Sequence, residues 1–554
     1  MEKIWLKSYP AGVPAEIDPK SIASLKAMAE SSFVQFANEV AYLQMGHSMT
    51  YDEVDRLSRQ FGAWLQKSAG LQKGDRVAIM LPNVLQYPVV MFGALRAGLV
   101  VVNVNPLYTA PEVMHQINDS GAQVLVVLEN FCSVVQEALP KMNLRKVIIT
   151  GAGDLLGFPK GWLVNFIVRS VRKKVPAWKI PGAIPLATAL RHGRALALTP
   201  VDVDHDDIAF LQYTGGTTGV SKGAVLTHRN LIANILQARA WFSNNLAVGQ
   251  TYTIALPLYH IYSLTVNCLL FLAMGGRGIL IPNPRDFRSF LAELDRYKPQ
   301  FITGVNTLFN ALMNTPGFES IDWSHLKVTS GGGMAVQSAV AERWKKITGC
   351  ILSQGWGLTE TSPIVTMNPL DGRDFNGSVG LPAPSTVVSV RDDAGRELGI
   401  GEAGELCVSG PQVMREYYNR PDETAKVMLP GRVLRTGDIG RIDPQGYVFI
   451  EDRKKDMILV SGFNVYPNEV EDVVATHPGV AEVAAVAQKD EKSGEVVALF
   501  VVKKDPALTE ERLIAHCRQS LTGYKVPKYV YFRDELPKTN VGKILRRALR
   551  DQLK

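Results

Sequence analysis

Cysteine is scarce in this chain, and the few cysteines present indicate neither a disulfide framework nor a metal site. Five cysteines occur in 554 residues, far apart and without CxxC or zinc-type spacing: Cys132, Cys268, Cys350, Cys407 and Cys517. This pattern is typical of free, buried thiols in a reducing compartment. The first ten residues, MEKIWLKSYP, also lack the apolar core of a signal peptide. We therefore expect a cytoplasmic protein.

The composition lacks the biases of disordered, fibrous or nucleic-acid-binding chains. Hydrophobic residues make up 46% and charged residues 20%, which is typical of a globular enzyme. The formal net charge is +7, but its basic residues are concentrated locally and accompany no nucleic-acid-binding motif. We expect no nucleic acid among the partners.

One long stretch has no ionised side chain at all. Residues 254–273 contain no Asp, Glu, Lys or Arg, and a run of that length can be taken for a membrane span. The same run includes Pro257, His260 and Asn267. These polar and helix-breaking residues favour a buried helix or pocket wall over a span.

A second stretch has no acidic residue. Residues 160–179, KGWLVNFIVRSVRKKVPAWK, carry six basic residues. On a helix, Trp162 and Phe166 fall on one side, whereas Arg169 and Lys173 fall largely on the other, as in a helix lying on an anionic bilayer. The alternative is a solvated basic face over an ordinary core contact. The first interpretation predicts peripheral contact with the inner face of the cytoplasmic membrane.

Helical and strand patterns alternate through the N-terminal part of the chain. A capping box at Thr50–Glu53 opens a helix that continues to Gly70. Residues 76–82 have a strand pattern, residues 85–98 a helix pattern and residues 99–104 a strand pattern. Alternation of this kind predicts an α/β fold with layers around mostly parallel sheets.

The pattern changes near the charged segment EDRKKD (451–456). About 100 residues with shorter helix and strand patterns follow it, which predicts a small α+β domain. We therefore expect a large N-terminal domain of layered α/β subdomains, 1–451, and a small mobile α+β C-terminal domain, 452–554.

The glycine-rich stretch YTGGTTGVSKG (213–223) lies between two strand patterns, 207–214 and 223–228. Glycines let backbone N–H groups approach an anion closely, and the hydroxyls and Lys222 add donors and a charge. Together they suit a polyphosphate. The spacing is not that of a Walker phosphate loop, because Lys222 is followed by Gly223 and a strand instead of a helix. We expect a flexible flap over the phosphates.

This stretch resembles the phosphate loop of adenylate-forming enzymes, the superfamily of acyl-CoA synthetases, adenylation domains and luciferase. Further blocks follow in the family's order: PLYH (257–260), SGGG (330–333), GWGLTE (355–360), RTGD (435–438), EDRKKD (451–456), SGFNVYPNEVED (461–472) and PKTNVGKILRR (537–547). They cover essentially the whole chain, and their wording is most similar to bacterial long-chain fatty acid–CoA ligases.

The resemblance implies a two-step reaction on a long-chain fatty acid, ATP and coenzyme A. Acid and ATP give acyl-AMP and pyrophosphate, and coenzyme A then displaces AMP. The phosphates would be held by Lys222 and by the residues of the flap: Tyr213, Thr214, Gly215, Gly216, Thr217, Thr218 and Gly219. Glu360, with Thr214, would hold Mg²⁺.

The resemblance also assigns an AMP site. Gly331, Gly332 and Gly333 would form a shelf for the adenine, which Trp356 would cover from the other side. The neighbouring Gly357 and Thr359 belong to the same site. Asp438 would accept both ribose hydroxyls, with Arg453 close by. The family more often has tyrosine at Trp356, and its usual Gly-Trp-Leu is here Gly431-Arg432-Val433-Leu434.

The C-terminal domain would supply the remaining roles. Lys543 would bridge the acyl carboxylate and the α-phosphate during adenylation and must then leave for coenzyme A to enter. Asp452 matches the family's hinge. After rotation the segment beginning Ser461, Gly462 and Phe463 would line the coenzyme A channel. His260, in the N-terminal domain, would order the carboxylate or gate the acyl tunnel.

Other interpretations of the same blocks remain open. They are an enzyme that stops at acyl-AMP or passes the acyl group to a carrier, an inactive acyl-binding membrane scaffold, and a luciferase-type oxygenase. Lys222, Glu360, Asp438 and Lys543 are all present, which gives no support to the inactive scaffold. The sequence also leaves a homodimer open.

Overall fold

The computed structural model of the protein describes residues 2–214, 221–490, 492–539 and 541–553. In this part of the chain the α-helices are, in order, α1 (Leu25–Gln35), α2 (Tyr51–Lys67), α3 (Gln86–Arg96), α4 (Ala110–Ser120), α5 (Cys132–Ala138), α6 (Lys160–Phe166), α7 (Leu186–Arg194), α8 (His228–Phe242), α9 (Phe271–Ala273), α10 (Phe287–Tyr297), α11 (Asn306–Met313), α12 (Ser338–Thr348), α13 (Pro421–Val427), α14 (Pro467–Ala475), α15 (Glu510–Ser520) and α16 (Arg546–Asp551).

The strands of the same residues, in chain order, are β1 (Val40–Gln44), β2 (His47–Thr50), β3 (Arg76–Met80), β4 (Val100–Asn103), β5 (Val124–Leu128), β6 (Lys146–Thr150), β7 (Ile184–Pro185), β8 (Ile208–Thr214), β9 (Lys222–Thr227), β10 (Thr251–Ile254), β11 (Arg277–Leu280), β12 (Phe301–Gly304), β13 (Val328–Gly331), β14 (Leu352–Gly357), β15 (Ile364–Met367), β16 (Leu381–Pro382), β17 (Val387–Arg391), β18 (Gly404–Ser409), β19 (Met428–Leu429), β20 (Val433–Ile442), β21 (Val448–Arg453), β22 (Ile458–Val460), β23 (Phe463–Val465), β24 (Val480–Asp490), β25 (Gly494–Lys503) and β26 (Tyr529–Arg533).

Two large, mostly parallel sheets form the framework of the N-terminal part. One has seven strands in the order β7-β6-β5-β3-β4-β8-β9, and the other has nine in the order β16-β15-β14-β13-β12-β10-β11-β1-β2. Antiparallel pairing occurs only near their edges, for example between β8 and β9 and between β14 and β15. Helices and strands from both sheets contribute to one large buried core. The predicted α/β class is confirmed.

A third, antiparallel sheet follows in the chain. Its strands run in the order β17-β18-β20-β19. Strand β21 also pairs with β20. The pairing places Asp438 of β20 opposite Arg453 of β21. Two residues that the sequence assigns to one ribose site therefore meet through strand register.

The C-terminal sheet has its own core. It contains β22 to β26, with β24 and β25 as the longest antiparallel pair, and it packs against α14 and α15. Strand β21 continues to Arg453 in the third sheet, and β22 begins at Ile458 in the C-terminal sheet. The chain passes from one sheet to the other within residues 454–457, and we call the part up to Arg453 the N-terminal unit and the part from Lys454 onward the C-terminal unit.

Helix α2 begins where the capping box predicts. The Thr50 side chain accepts a hydrogen bond from the backbone of Glu53, whose carboxylate accepts one from the backbone of Thr50. Such reciprocal bonds satisfy N–H groups that a helix end leaves without partners. The helix ends at Lys67, three residues before the glycine at which the sequence pattern stops.

The uncharged run 254–273 lies inside the protein, as the sequence favoured. It leaves β10, crosses a loop and forms a π-helical segment, Ser263–Leu270, in which every residue is buried. The amide of Asn267 donates to the backbone of Thr253 and accepts from Thr303, which satisfies a polar group in an apolar setting. Among the described helices, none combines the length and apolar character needed to cross a bilayer.

The basic stretch 160–179 behaves differently. It forms α6 and then a π-helical segment, Ile167–Val171, after which it has no regular structure up to residue 179. Its apolar side chains point largely away from the core: Trp162 is 64% and Phe166 46% exposed, and the two rings stack on each other. The alternative prediction was a solvated basic face over an apolar side in contact with the core. It is therefore wrong for the rings of Trp162 and Phe166.

Candidate active site

A cavity of about 900 Å³ lies where the two parallel sheets, the third sheet and the C-terminal unit meet. Its polar end is lined by Thr214, Lys222 and Glu360, and its apolar end by Phe242 and Val266. A second cavity of about 860 Å³ adjoins it between α12 and the C-terminal unit, and Gly333, Trp356, Arg453 and Lys543 line both.

Strands β8 and β9 bring the two ends of the glycine-rich stretch together. Thr214, the last residue of β8, pairs with Lys222, the first residue of β9. The ammonium group of Lys222 forms an ion pair with Glu423 and lies 5.2 Å from the ring centre of Tyr417. The sequence also predicts a phosphate-binding role for five residues that lie outside the described part of the chain: Gly215, Gly216, Thr217, Thr218 and Gly219.

Tyr213 lies against the cavity, but its hydroxyl group has a partner on the other side. The hydroxyl donates a 2.7 Å hydrogen bond to Asp119 of α4, and the same carboxylate pairs with Arg420. Burial, followed by the neighbouring carboxylate, raises the pKa of Tyr213 well above its usual range. The phenol therefore anchors β8, next to the phosphate loop, to α4 and to the segment before α13.

Glu360 lies in a short 3-10 turn after β14 and points into the polar end of the cavity. Its Oε1 accepts a 2.6 Å hydrogen bond from the hydroxyl of Tyr417, and its backbone carbonyl accepts from Met414. The described residues contain no group of three or more His, Cys, Asp or Glu side chains that could hold a metal ion.

The three glycines of the SGGG block turn away from the end of β13. A Cβ on Gly332 would lie 3.2 Å from the ring of Tyr262, and Gly333 has a φ of +79°, which disfavours other residues. A Cβ on Gly333 would also lie 3.2 Å from Cε of Lys543. The absence of side chains here leaves room for a flat group and for the lysine beside it.

Trp356, Asp438 and Arg453 form one connected group. The indole Nε1 of Trp356 donates a 2.8 Å hydrogen bond to Oδ2 of Asp438, and Nε of Arg453 lies 2.5 Å from Oδ1. Burial raises the pKa of Asp438, whereas Arg453 and then Trp356 act in the opposite direction. The carboxylate is thus oriented by partners on β14 and β21 before any ligand binds.

Lys543 is one of several residues of the C-terminal unit that line the cavity. It lies in a tight loop in which its backbone N–H donates to Thr539 and its carbonyl accepts from the Thr539 N–H. Burial lowers the pKa of the Lys543 ammonium to about 8, and the charge of Arg453 acts in the same direction. Asp438 and Glu360 oppose this shift. The predicted catalytic lysine is therefore next to the predicted phosphate and ribose residues.

His260 lies in the wall of the same cavity, after β10. Its Nδ1 accepts a hydrogen bond from the backbone N–H of Tyr262. Burial, followed by the charge of Lys543, lowers the pKa of His260 to about 3. The imidazole is therefore neutral at physiological pH, and its second nitrogen is the group that can serve a ligand.

The predicted hinge residue Asp452 is buried in β21, at the border of the two units. Its carboxylate accepts hydrogen bonds from the backbone of Asn468 and from the guanidinium of Arg546. Arg546 also pairs with Glu471, so two residues of α14 and the first residue of α16 are tied to this position. Gly357 and Thr359 line the first cavity, as expected for parts of the GWGLTE block.

The predicted coenzyme A segment does not belong to either cavity. Ser461 and Gly462 form the exposed turn between β22 and β23. Phe463, 56% exposed, stacks on Tyr524 of the same unit with ring centres 4.8 Å apart. In this structure the segment faces away from the residues that surround Lys543.

Sequence reasoning missed several side chains at the polar end of the cavity. Tyr417 lies just before α13 and donates a hydrogen bond to Glu360. On α13, Glu423 pairs with Lys222 and with Lys426, and Lys426 lines the cavity. Tyr417, Glu423 and Lys426 come from the segment YYNRPDETAK (417–426). Its aromatic residues before a proline and charged residues after it were a signal, but only the tertiary structure shows that the segment covers β9.

Comparisons with known proteins agree with this geometry. A family model described as "AMP-binding enzyme" matches residues 29–418, and a second, "AMP-binding enzyme C-terminal domain", matches residues 469–543. The chain is 55% identical over its full length to a long-chain-fatty-acid–CoA ligase of Yersinia pestis, covering 98% of that relative. It is 50% identical to one of Haemophilus influenzae, covering all of this chain and 99% of the relative.

Solved structures share the fold. A benzoate CoA ligase from Burkholderia xenovorans superimposes with a TM-score of 0.82 at 25% identity, covering 95% of this chain and 99% of the other.

Proposed function

This chain belongs to the AMP-binding enzyme family, and we propose that it is a long-chain fatty acid–CoA ligase that uses ATP. In the first step a carboxylate oxygen of the fatty acid attacks the α-phosphorus of ATP, and pyrophosphate leaves. In the second step the sulfur of coenzyme A gives up its proton and attacks the acyl carbonyl carbon, and AMP leaves. The two steps are an acid activation and a thioester formation at one site.

The observation that carries the proposal is the position of Lys543. Lys543 lines the first cavity with Glu360 and Arg453 and the second cavity with Asp438 and Arg453, although it comes from the other unit of the chain. A cation between a phosphate site and an acyl site stabilises charge that develops as the carboxylate attacks. Alignment of the two reactants in a closed cavity supplies much of the remaining rate.

The phosphates of ATP bind at the ends of β8 and β9. Lys222 exchanges its ion pair with Glu423 for one with the phosphates, and Thr214 adds a hydroxyl group. Glu360 and Thr214 fit Mg²⁺, because this hard cation takes one or two protein oxygens and completes its shell with phosphate oxygens and water. When bound, Mg²⁺ neutralises phosphate charge.

AMP binds along the second cavity. The adenine lies between the glycine shelf at Gly332 and Gly333 and the indole of Trp356. Asp438 accepts hydrogen bonds from the ribose hydroxyls, since one carboxylate offers acceptors to two neighbouring donors. Arg453 opposes the rise in the pKa of Asp438 that burial causes.

The fatty acid enters the apolar end of the first cavity. Phe242 and Val266 line that end, and both are buried among other apolar side chains. His260, neutral and at the junction of the polar and apolar ends, hydrogen-bonds the carboxylate without adding a charge that would compete with Lys543.

The second step requires a different orientation of the C-terminal unit. While Lys543 occupies the cavity, the turn at Ser461 and Gly462 and the ring of Phe463 face solvent. Rotation about Asp452 removes Lys543 and brings this turn to the cavity, where it lines the path of the pantetheine arm. The rotation then falls at the predicted boundary between the domains 1–451 and 452–554, and the C-terminal unit, from Lys454 onward, is the part that moves.

A surface around α6 provides contact with an anionic membrane. This α6 surface consists of five large, exposed apolar side chains: Phe158, Trp162, Leu163, Phe166 and Val171. Exposed apolar residues beside Arg172, Lys173 and Lys174 combine insertion with attraction to anionic lipid. An acid substrate dissolved in lipid would then be close to the enzyme.

The function is tested by measuring AMP and pyrophosphate release from ATP and Mg²⁺ with acids from C4 to C18, each with and without coenzyme A. We expect sustained turnover only with coenzyme A and highest with long chains. Pyrophosphate released once per enzyme whether or not coenzyme A is present would contradict the ligase and indicate an acyl-AMP ligase.

Membrane contact is tested by sedimentation with phosphatidylglycerol-containing vesicles. We expect Trp162→Ser with Phe166→Ser, and separately Arg172, Lys173 and Lys174 changed to Gln, to reduce binding. Val34→Ser, which removes an apolar side chain that is 82% exposed elsewhere, is the matched control and should bind like the wild type. Unchanged binding by both sets of variants would rule out the α6 surface.

A further inference from the structure

We propose that Asp472 is a positioning residue that holds Lys543 in the cavity, through a contact that exists only in the orientation used for adenylation. The inference rests on the proposed two-step function. Asp472, in the C-terminal unit, contacts none of the substrates. It favours one of the two orientations of this unit that the two steps require.

The contact begins with a helix that lacks its own cap. Helix α12 belongs to the N-terminal unit, and its N-cap residue, Gln337, makes no capping hydrogen bond with its side chain. That side chain instead accepts a hydrogen bond from Asn306. The first N–H groups of a helix need acceptors from elsewhere when the N-cap residue supplies none.

Asp472 supplies the acceptor from the other unit. One oxygen of its carboxylate accepts hydrogen bonds from the backbone N–H of Ser338, at 3.2 Å, and from the Ser338 hydroxyl, at 2.9 Å. The second oxygen lies 3.0 Å from the same hydroxyl. A negative charge at this end of a helix is also favoured by the helix dipole. Asp472 is on α14, so this cap joins α14 to α12.

Two further bonds join the units on the same side. The hydroxyl of Thr307, on α11, donates a 2.9 Å hydrogen bond to the carbonyl of Gly542, which directly precedes Lys543. The amide of Asn310, also on α11, donates a 3.1 Å bond to the carbonyl of Ala481 in β24. The C-terminal unit contributes only backbone carbonyls to these two bonds, whereas Asp472 contributes a side chain that a substitution in that unit can remove.

The three contacts fix the C-terminal unit at separate points: helix α14, strand β24 and the loop of Lys543. A rotation that withdraws Lys543 must separate α14 from α12 and leave the start of α12 without this acceptor. The Asp472 contact therefore stabilises the Lys543-in orientation relative to any other. A ligand or contact shifts such an equilibrium only by its difference between the two states.

The test compares two half-reactions in Asp472→Ala. Adenylation is measured as pyrophosphate release or ATP–pyrophosphate exchange, and thioester formation as conversion of supplied acyl-AMP with coenzyme A. Loss of a helix cap predicts about a tenfold fall in the adenylation rate. Thioester formation should stay at the wild-type rate or rise. A role in folding alone would lower both.

Thr509→Ala is the matched control. It removes the capping side chain of α15, where the Thr509 hydroxyl accepts from the backbone of Arg512 inside the C-terminal unit. We expect this variant to leave the ratio of the two half-reactions unchanged. Equal loss of both half-reactions in Asp472→Ala, or no change in either, would overturn the proposal.

A crosslink between positions 338 and 472 tests the same contact without requiring that Asp472→Ala be stably folded. The five native cysteines are all buried, so a short bis-maleimide can link Ser338→Cys to Asp472→Cys selectively. The linked enzyme should release one equivalent of pyrophosphate and fail to convert acyl-AMP with coenzyme A. Full thioester formation by the linked enzyme would show that this contact does not mark the adenylation orientation.

These experiments distinguish a failure of the Asp472 proposal from a failure of the proposed ligase function. A wild-type enzyme that forms no thioester would contradict the ligase, while the effect of Asp472→Ala on pyrophosphate release would still decide whether Asp472 positions Lys543.

Discussion

The two units of the chain contribute to the site in different ways. Trp356 and Asp438 are part of strands in the N-terminal unit, and each is held by a partner in that unit before a ligand binds. Lys543 lies on a loop of the C-terminal unit, which contacts the N-terminal unit through the carbonyls of Gly542 and Ala481 and through the side chains of Asp472 and Arg546. The side chains that we propose act in both steps are thus part of the sheets, and the side chain that we propose acts in one step is on the unit that we propose rotates.

The difference extends to electrostatics. Arg453 keeps the buried carboxylate of Asp438 paired, because the two are opposite each other on neighbouring strands. Lys543 enters a site that already contains Arg453, and burial together with that charge lowers the pKa of its ammonium to about 8. The proposed fixed residues are oriented in advance, whereas burial and the charge of Arg453 destabilise the ammonium form of Lys543.

The largest expected effect comes from removing the moving cation. Lys543→Ala should lower the rate of pyrophosphate release by about 10² to 10³-fold, since it deletes a donor aimed at developing charge. Conversion of supplied acyl-AMP with coenzyme A should remain close to wild type. Lys504→Ala, an exposed lysine of the same unit, serves as the control and should change neither rate. An equal loss in both half-reactions would remove the distinction between the units.

A fixed residue should behave in the opposite way. Asp438→Asn weakens the acceptor for the ribose hydroxyls, and the nucleotide is bound in both steps. We expect the KM for ATP to rise about tenfold or more, as for loss of hydrogen bonds to a charged group, with a comparable weakening of acyl-AMP binding in the second step. Steady-state kinetics of each half-reaction provide the measurement. A defect confined to adenylation would place Asp438 with Lys543 functionally and contradict the comparison.

The motifs predicted most of this site because they are local. GWGLTE and RTGD are short blocks on strands, and the register of β20 and β21 then brings Arg453 to Asp438. The ion pair of Lys222 with Glu423 joins residues far apart in the chain, and no spacing rule relates them. Partners of this kind depend on how loops cover a sheet, so they could be found only in the structure.

The two apolar runs show a second limit of sequence reasoning. Residues 254–273 have no charge and are buried, whereas α6, in the most basic stretch of the chain, exposes Trp162 and Phe166. The helical spacing of the apolar residues in 160–171 predicted one apolar face. Which surface that face would meet depends on the neighbouring elements, and these are not encoded in the local pattern.

The ionisation of Lys543 can first be tested in the wild-type enzyme, by varying the pH. The cationic form dominates below the pKa of about 8 and is lost as the pH rises through it. Because kcat/KM reports ionisation in the free enzyme, kcat/KM of adenylation should fall above pH 8, approaching tenfold per pH unit. Lys543→Arg should remove this fall, since a guanidinium stays protonated. Asp438→Asn, on the fixed unit, should retain it. A fall that persists in Lys543→Arg would assign the ionisation to another group.

The smallest effect is expected at Trp356, where the chain departs from the tyrosine more common in its family. Trp356→Phe keeps an aromatic plane over the adenine and deletes the indole N–H that donates to Asp438. Loss of one such bond predicts a rise of about two- to tenfold in the KM for ATP, shared by both half-reactions. In Asp438→Asn the same substitution should add less than its own effect, because its partner has already changed. Full additivity of the two changes would mean that Trp356 acts on the nucleotide only through its ring, and that the carboxylate is oriented by Arg453 alone.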